Sequence, residues 1–177
     1  MENTSQPSSK KIMITYGVIL AAVSILLSVF SYVMGNVYQP HWSIQLFGFL
    51  VLIAVIVYGI IEFKKQNQGY LKLSEGIKIG LGIAAISAVI GVLYFVIFAT
   101  VIEPNYFENY IEFQRQTAIE TNPSMTTEQI EAGLNMSKPF MNVGFFAGIQ
   151  LIMGLFFGFI VSLIASLAMK KTNPYQE

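Results

Sequence analysis

Cysteine and aspartate are absent from the sequence, and histidine and tryptophan each occur once. Without cysteine there are no disulfides, thiolate metal sites or cysteine nucleophiles. Without aspartate, and with His41 as the one imidazole, most acid–base pairs and metal-ligand sets are excluded as well. Charge is scarce. Lys, Arg and Glu together make up 11% of the residues, against about a quarter in ordinary soluble domains. The formal charge sums to zero, so no bulk basic field exists to hold nucleic acid. No nucleotide-binding loop, zinc signature or serine elbow occurs. The expectation is a protein with no catalytic site, no metal and no cofactor, and not an enzyme.

What the chain has in quantity is apolar length: 54% of its 177 residues are hydrophobic. Four stretches carry it, at about residues 12–34, 44–61, 77–102 and 140–169. Each reaches the ~18 apolar residues that a bilayer-spanning helix needs. None has an ionisable side chain in its interior; Glu62, Lys78 and Glu103 stand at the ends. In hydrocarbon the backbone must satisfy its own hydrogen bonds, and a helix does so within one segment. The expected fold is all-α: a four-helix transmembrane bundle forming a single domain over 12–171. A disordered cytoplasmic segment (1–11) precedes it and a short cytoplasmic tail (172–177) follows. The fourth stretch, about 45 Å long at 1.5 Å per residue, has to tilt or protrude. The first exceeds the apolar core of a cleavable signal, about 7–15 residues, and is read as a retained anchor.

The charges assign the sides. Lys10 and Lys11 precede the first span, Lys64, Lys65, Lys72 and Lys78 lie at or between the second and third, and Lys170 and Lys171 follow the fourth. The opposite side holds Arg115 and Lys138 among Glu103, Glu108, Glu112, Glu120, Glu128 and Glu131. Lysine and arginine accumulate in cytoplasmic loops. Both termini are therefore expected in the cytoplasm, and residues 103–139 on the outer, periplasmic face of a bacterial inner membrane. Pro104 ends the third span. Asn105 with Glu108, and Thr126 with Gln129, read as the N-caps of two short helices, with Asn122-Pro123 turning between them. The outer segment is thus an amphipathic helical hairpin. Phe107, Tyr110, Ile111 and Gln114 share one face of its first helix, and Ile130 and Leu134 of its second turn inward. On the inner side, Ser74 is the expected N-cap of the third span, with Glu75 against its dipole.

Small and polar residues recur at four-residue spacing. Span four carries Gln150, Gly154, Gly158, Ser162 and Ser166; span three Gly80, Ala84, Ser87 and Gly91; span one Ser24, Ser28, Ser31 and Gly35. Small side chains let helices approach closely where lipid removes the hydrophobic drive between them. Span two has few, so spans one, three and four are expected to form the packed core, with span two toward lipid. Gln150 is the one amide well inside a span. Unpaired in hydrocarbon it would cost several kcal/mol, so a partner on another helix or a ligand is expected. A second reading stays open, in which Gln150 and the serines line a polar path. His41 and Trp42, with Tyr38, match an interfacial aromatic belt. Glu108 and Glu112 share a face, but without a calcium-loop spacing they read as a solvated surface. The inner lysines would attract anionic head groups at about 1 kcal/mol each, though topology alone accounts for their number.

From the third span onward the sequence is familiar. The runs GYLKLSEGIKIG, EPNYFENYIEFQRQ, MTTEQIEAGLNMSKPFM and GLFFGFIVSLIASLAMKK resemble DUF forty-one ninety-nine, an uncharacterised bacterial family of four-span envelope proteins, and the resemblance covers nearly the whole chain. It implies four helices, an amphipathic outer segment, no established activity, and genes neighbouring membrane glycosyltransferases. Two functions from different classes follow. The first is a non-enzymatic accessory or scaffold subunit. Its partners would be the lipid bilayer, another envelope protein (in the sharpest version a lipid-linked glycosyltransferase) or its own copies. The alternative is a small oligomeric channel or transporter with a polar path near Gln150. The lack of any intramembrane acid or base weakens it.

Overall fold

The four apolar stretches become four long helices in the computed structural model, which describes residues 8–172. No strand occurs among the described residues; a lone antiparallel bridge joins Leu71 and Lys171. The expectations for residues 1–7 and 173–177 lie outside the described residues.

Each helix boundary has a local cause. Helix α1 (Ser9–Val33) starts where the Ser8 hydroxyl accepts from the Lys11 amide at 3.3 Å. Residues 9–11, expected as part of an irregular segment, are therefore helical. Helix α2 (Trp42–Gln66) opens after Pro40, with His41 Nδ1 accepting from the Ser43 amide and Gln45 donating to the Pro40 carbonyl at 2.8 Å. It outruns its apolar stretch at both ends because polar turns continue a helix once hydrocarbon no longer limits its side chains. Gln68 (φ 58°) and Gly69 (φ 84°) then reverse the chain in the left-handed region, where glycine carries no steric penalty. Helix α3 (Leu73–Ile97) is capped by the Glu75 carboxylate, which accepts from the Lys72 amide at 2.9 Å. Ser74 lies inside the first turn and is not the cap. A π-turn, Phe98–Ile102, extends α3 until Pro104 ends it. Helix α6 (Val143–Met169) begins later than its apolar stretch, because Pro139 sets a 3₁₀ turn at Lys138–Phe140. Asn142 caps it, accepting from the Phe145 amide at 3.0 Å.

The chain divides into two compact units, one running to Gly91 and resuming at Leu151, the other Val92–Gln150. In the first, α1, α2 and parts of α3 and α6 enclose Ile12, Leu20, Ile56, Ile60, Phe63, Leu71, Ile79, Ile83, Ala84, Val161 and Ala165. Ile56 and Ile60 of α2 are fully buried. The second span thus adds these residues to the core, while Trp42, Leu46, Phe47, Leu50 and Tyr58 leave most of its surface exposed, as its composition suggested. Gly59, buried between those isoleucines, opens a notch that the Ile83 side chain fills. At the lysine-rich end the Leu71 and Lys171 main chains exchange hydrogen bonds of 2.9 and 3.0 Å. There Lys64 donates to the Met169 carbonyl at 2.7 Å, a cation completing the C-terminus of α6.

The second unit has its own aromatic core. It contains helices α4 (Tyr106–Thr121) and α5 (Thr127–Ser137). Tyr106 is buried among Phe95, Phe98, Phe107 and Tyr110, with ring centroids 5.1–6.3 Å apart. Asn105 makes no side-chain cap; the Glu103 carbonyl accepts from the Tyr106 amide and Asn109 donates to the Glu103 carboxylate. The Thr126–Gln129 capping box forms in full at the start of α5. Ile130 is buried and Leu134 half-buried. Arg115 of α4 binds Glu131 of α5 at 2.7 Å and also pairs with Glu112. Hydrogen bonding from Arg115 holds the Glu131 carboxyl below its ordinary pKa, and the same bond raises that of Arg115. A carboxyl so lowered contributes stability above its ordinary pKa and loses it as pH falls through the lowered value. Protection of the α5 amides, taken relative to intrinsic exchange at the same pH, is therefore expected to fall in acid in the wild type and to depend less on pH in Arg115→Met. Both side chains are solvated, so the effect is small.

Candidate functional site

Where lipid weakens the hydrophobic drive between helices, small residues decide which backbones come together. Along α3, Gly76, Gly80, Ala84 and Ala88 meet Ser166, Ser162, Gly158 and Gly154 of α6 in that order. Both series step by four residues and run in opposite directions, so one antiparallel seam uses the same face of each helix over three turns. A methyl group added at Gly76 would lie 2.8 Å from the Ser166 Cβ, at Gly80 2.6 Å from the Ser162 Cβ, and at Gly154 3.2 Å from the Ala88 Cβ. At Gly158 it would overlap the Ala84 methyl.

The seam's serines are wholly enclosed: Ser162 and Ser166 are both 0% exposed. The Ser162 hydroxyl donates to the Gly158 carbonyl one turn back. The Ser166 oxygen makes no hydrogen bond. A Cβ built on Gly76 would overlap that oxygen, so a Cα hydrogen of Gly76 points at it, a weak C–H···O contact that only close packing permits.

Three further contacts make α3 the helix that touches all three others. Gly17 of α1 sits against Ile86, where a Cβ would lie 2.7 Å from that of Ile86, and Gly82 of α3 takes the Met13 side chain. Ile83 reaches Gly59 of α2. The sequence reading of α1 does not survive. Ser24 is exposed, Ser28 half-buried and Gly35 lies in a turn at φ 72°; only Ser31 of that stripe is buried. The packing positions are Gly17 and Ala21. These two are also four apart.

Gln150 does not lie in an enclosed seam. Its side chain is exposed in the second unit and makes no hydrogen bond among the described residues. Ile149 beside it is exposed as well. Asn142 is spent on capping, donating to the Pro139 carbonyl at 2.9 Å. His41 is exposed, its Nδ1 2.8 Å from the Ser43 hydroxyl. Among the described residues no group of three or more His or Glu side chains gathers in a geometry that could hold a metal ion.

No curated protein and no solved structure matches the chain. Residues 15–171 match the model of a family described as protein of unknown function, DUF4199. The match runs from inside α1 to the end of the fourth span and takes in the α3–α6 seam, so the chain belongs to the DUF4199 family.

Proposed function

We propose that the protein is a non-enzymatic accessory or scaffold subunit of a bacterial inner membrane that binds another integral envelope protein through its outward helix faces. The exposed Gln150 carries this reading. An amide on the outside of a membrane-spanning helix either costs several kcal/mol in lipid or meets a polar group on a neighbouring helix. Met153, three residues on along the same face and exposed, offers an apolar surround for such a contact. The enclosed Ser162 and Ser166 weigh against a polar path through a single chain, because both are fully buried in the seam.

The test is mild-detergent purification of the natively expressed, C-terminally tagged chain, with mass spectrometry of what accompanies it. A stoichiometric membrane protein, lost in Gln150→Leu, supports the reading; a lipid-linked glycosyltransferase is its sharpest form. A preparation holding only copies of this chain turns the reading toward the oligomeric channel, tested by flux in proteoliposomes.

Orientation belongs to the same proposal, with both termini and the α2–α3 turn cytoplasmic and α4–α5 periplasmic. Eight lysines at one side and the acidic hairpin at the other support it. The cysteine-free sequence makes a direct check simple. Ser124→Cys, exposed between α4 and α5, is expected to react with a membrane-impermeant maleimide in cells with a permeabilised outer membrane. Ser74→Cys, exposed at the start of α3, is expected to react only after the inner membrane is opened. The reverse pattern would invert the topology.

A further inference from the structure

His41 is the chain's one imidazole, and the first turn of α2 is built on it. Its carbonyl accepts from the Ile44 amide at 2.9 Å and from the Gln45 amide at 3.3 Å. Its ring nitrogen Nδ1 accepts from the Ser43 amide at 3.4 Å and lies 2.8 Å from the Ser43 hydroxyl. The Ser43 amide is among those at a helix start that have no carbonyl within the helix to bond. Accepting from it requires a lone pair on Nδ1, so the ring is neutral with its proton on Nε2. Histidine is an uncommon choice for this position. Serine, threonine, asparagine and aspartate are the usual caps. None of them loses its acceptor between about pH 5 and 8, where an ordinary imidazole takes up a proton.

Protonation removes the lone pair. Once Nδ1 carries a proton from solvent it becomes a donor, and the Ser43 hydroxyl 2.8 Å away is placed to accept. The hydroxyl bond then survives with its direction reversed, while the Ser43 amide loses its partner. The same proton sets a positive charge at the positive end of the α2 dipole, where it is unfavourable. Neither α1, nor α2, nor the turn between them supplies a carboxylate to offset it. From Ile12 to Ile61 there is no Lys, Arg or Glu, and the other titratable side chains are Tyr16, Tyr32, Tyr38 and Tyr58. Phenols stay neutral in this range.

We propose that His41 makes the start of α2 responsive to pH: the neutral ring caps it, and the protonated ring releases the Ser43 amide and loosens the turn that joins α1 to α2. The switch does not depend on the accessory-subunit reading. Only the side whose pH it follows, the outer one, rests on the proposed orientation.

NMR of the isotope-labelled full chain in micelles follows both events. The ring signals of the one histidine report its protonation, and the Ser43 amide reports capping, as protection relative to intrinsic exchange at the same pH. Between about pH 8 and 5 the protection of Ser43 is expected to fall about fivefold, the usual worth of a side-chain cap. The fall should share the midpoint of the ring titration. His41→Asn keeps a capping acceptor that does not titrate and should hold the protection throughout. His41→Arg, charged and without an acceptor, should be low throughout. Ser43 protection that ignores the ring titration in the wild type overturns the proposal. An equal fall in His41→Asn overturns it as well, since the titrating group would then lie elsewhere.

Discussion

Gly80→Ala is expected to destabilise the bundle by about 2 kcal/mol, measured by reversible unfolding in mixed micelles. The new Cβ would lie 2.6 Å from the Ser162 Cβ and 3.0 Å from the Ile56 Cγ2. Neither neighbour yields easily. The Ser162 hydroxyl is already bonded to the Gly158 carbonyl, and Ile56 is fully buried against the core. Overpacking of this kind costs about 1–3 kcal/mol, and the better helix propensity of alanine returns at most about 1. Gly133→Ala isolates that second term, since nothing lies within 4 Å of the position in α5 where the methyl would be placed. It is expected to stabilise by about 0.5–1 kcal/mol. Because the closer collision is with Ser162, Ser162→Gly in the Gly80→Ala background should recover at least half of the loss. Coupling between touching positions is typically about 0.5–3 kcal/mol. Additive single and double variants would mean that Gly80 and Ser162 do not meet.

Tyr106→Ala is expected to loosen the second unit by about 3–5 kcal/mol, the range for removing a large buried aromatic. Tyr106 is 8% exposed and its ring contacts Phe95, Phe98, Phe107 and Tyr110. It joins the first turn of α4 to the end of α3 at the centre of the aromatic cluster. Hydrogen exchange is the appropriate measurement, because the effect is local. Amides of α4 and α5 should lose protection while those flanking Gly80 and Ser162 keep theirs. Uniform loss through both sets would make the two units one cooperative structure. No change in α4 would mean that the aromatic cluster is dispensable to the hairpin.

The spans were legible because their signal is one-dimensional. A helix must be long and apolar enough to cross hydrocarbon, and Glu62, Lys78 and Glu103 mark where that requirement stops. The Thr126–Gln129 capping box was legible because all its atoms lie within four residues. The caps proposed at Asn105 and Ser74 had equally good residue types. Competing groups nearby settled both: the Glu75 carboxylate reached the Lys72 amide, and the Glu103 carbonyl took the Tyr106 amide. Small-residue spacing pointed to faces of α3 and α6 that do meet, and failed for α1, where Gly17 lies against α3, Ala21 is buried and Ser24 is exposed.

That failure has a physical reason. A span that is apolar all round has almost no amphipathic face to announce which side is buried. The sequence by itself determined how many long apolar helices form, where along the chain their apolar stretches lie, and which ends carry lysine. Each of these follows from the preference of a residue for lipid or water, a property of that residue and its near neighbours. Tertiary structure alone decided that α3 touches every other span, that Ile56 and Ile60 are core, and that Gln150 faces out. Those outcomes depend on which helix lies against which, and contacts between residues remote along the chain are chosen by the packing of whole faces.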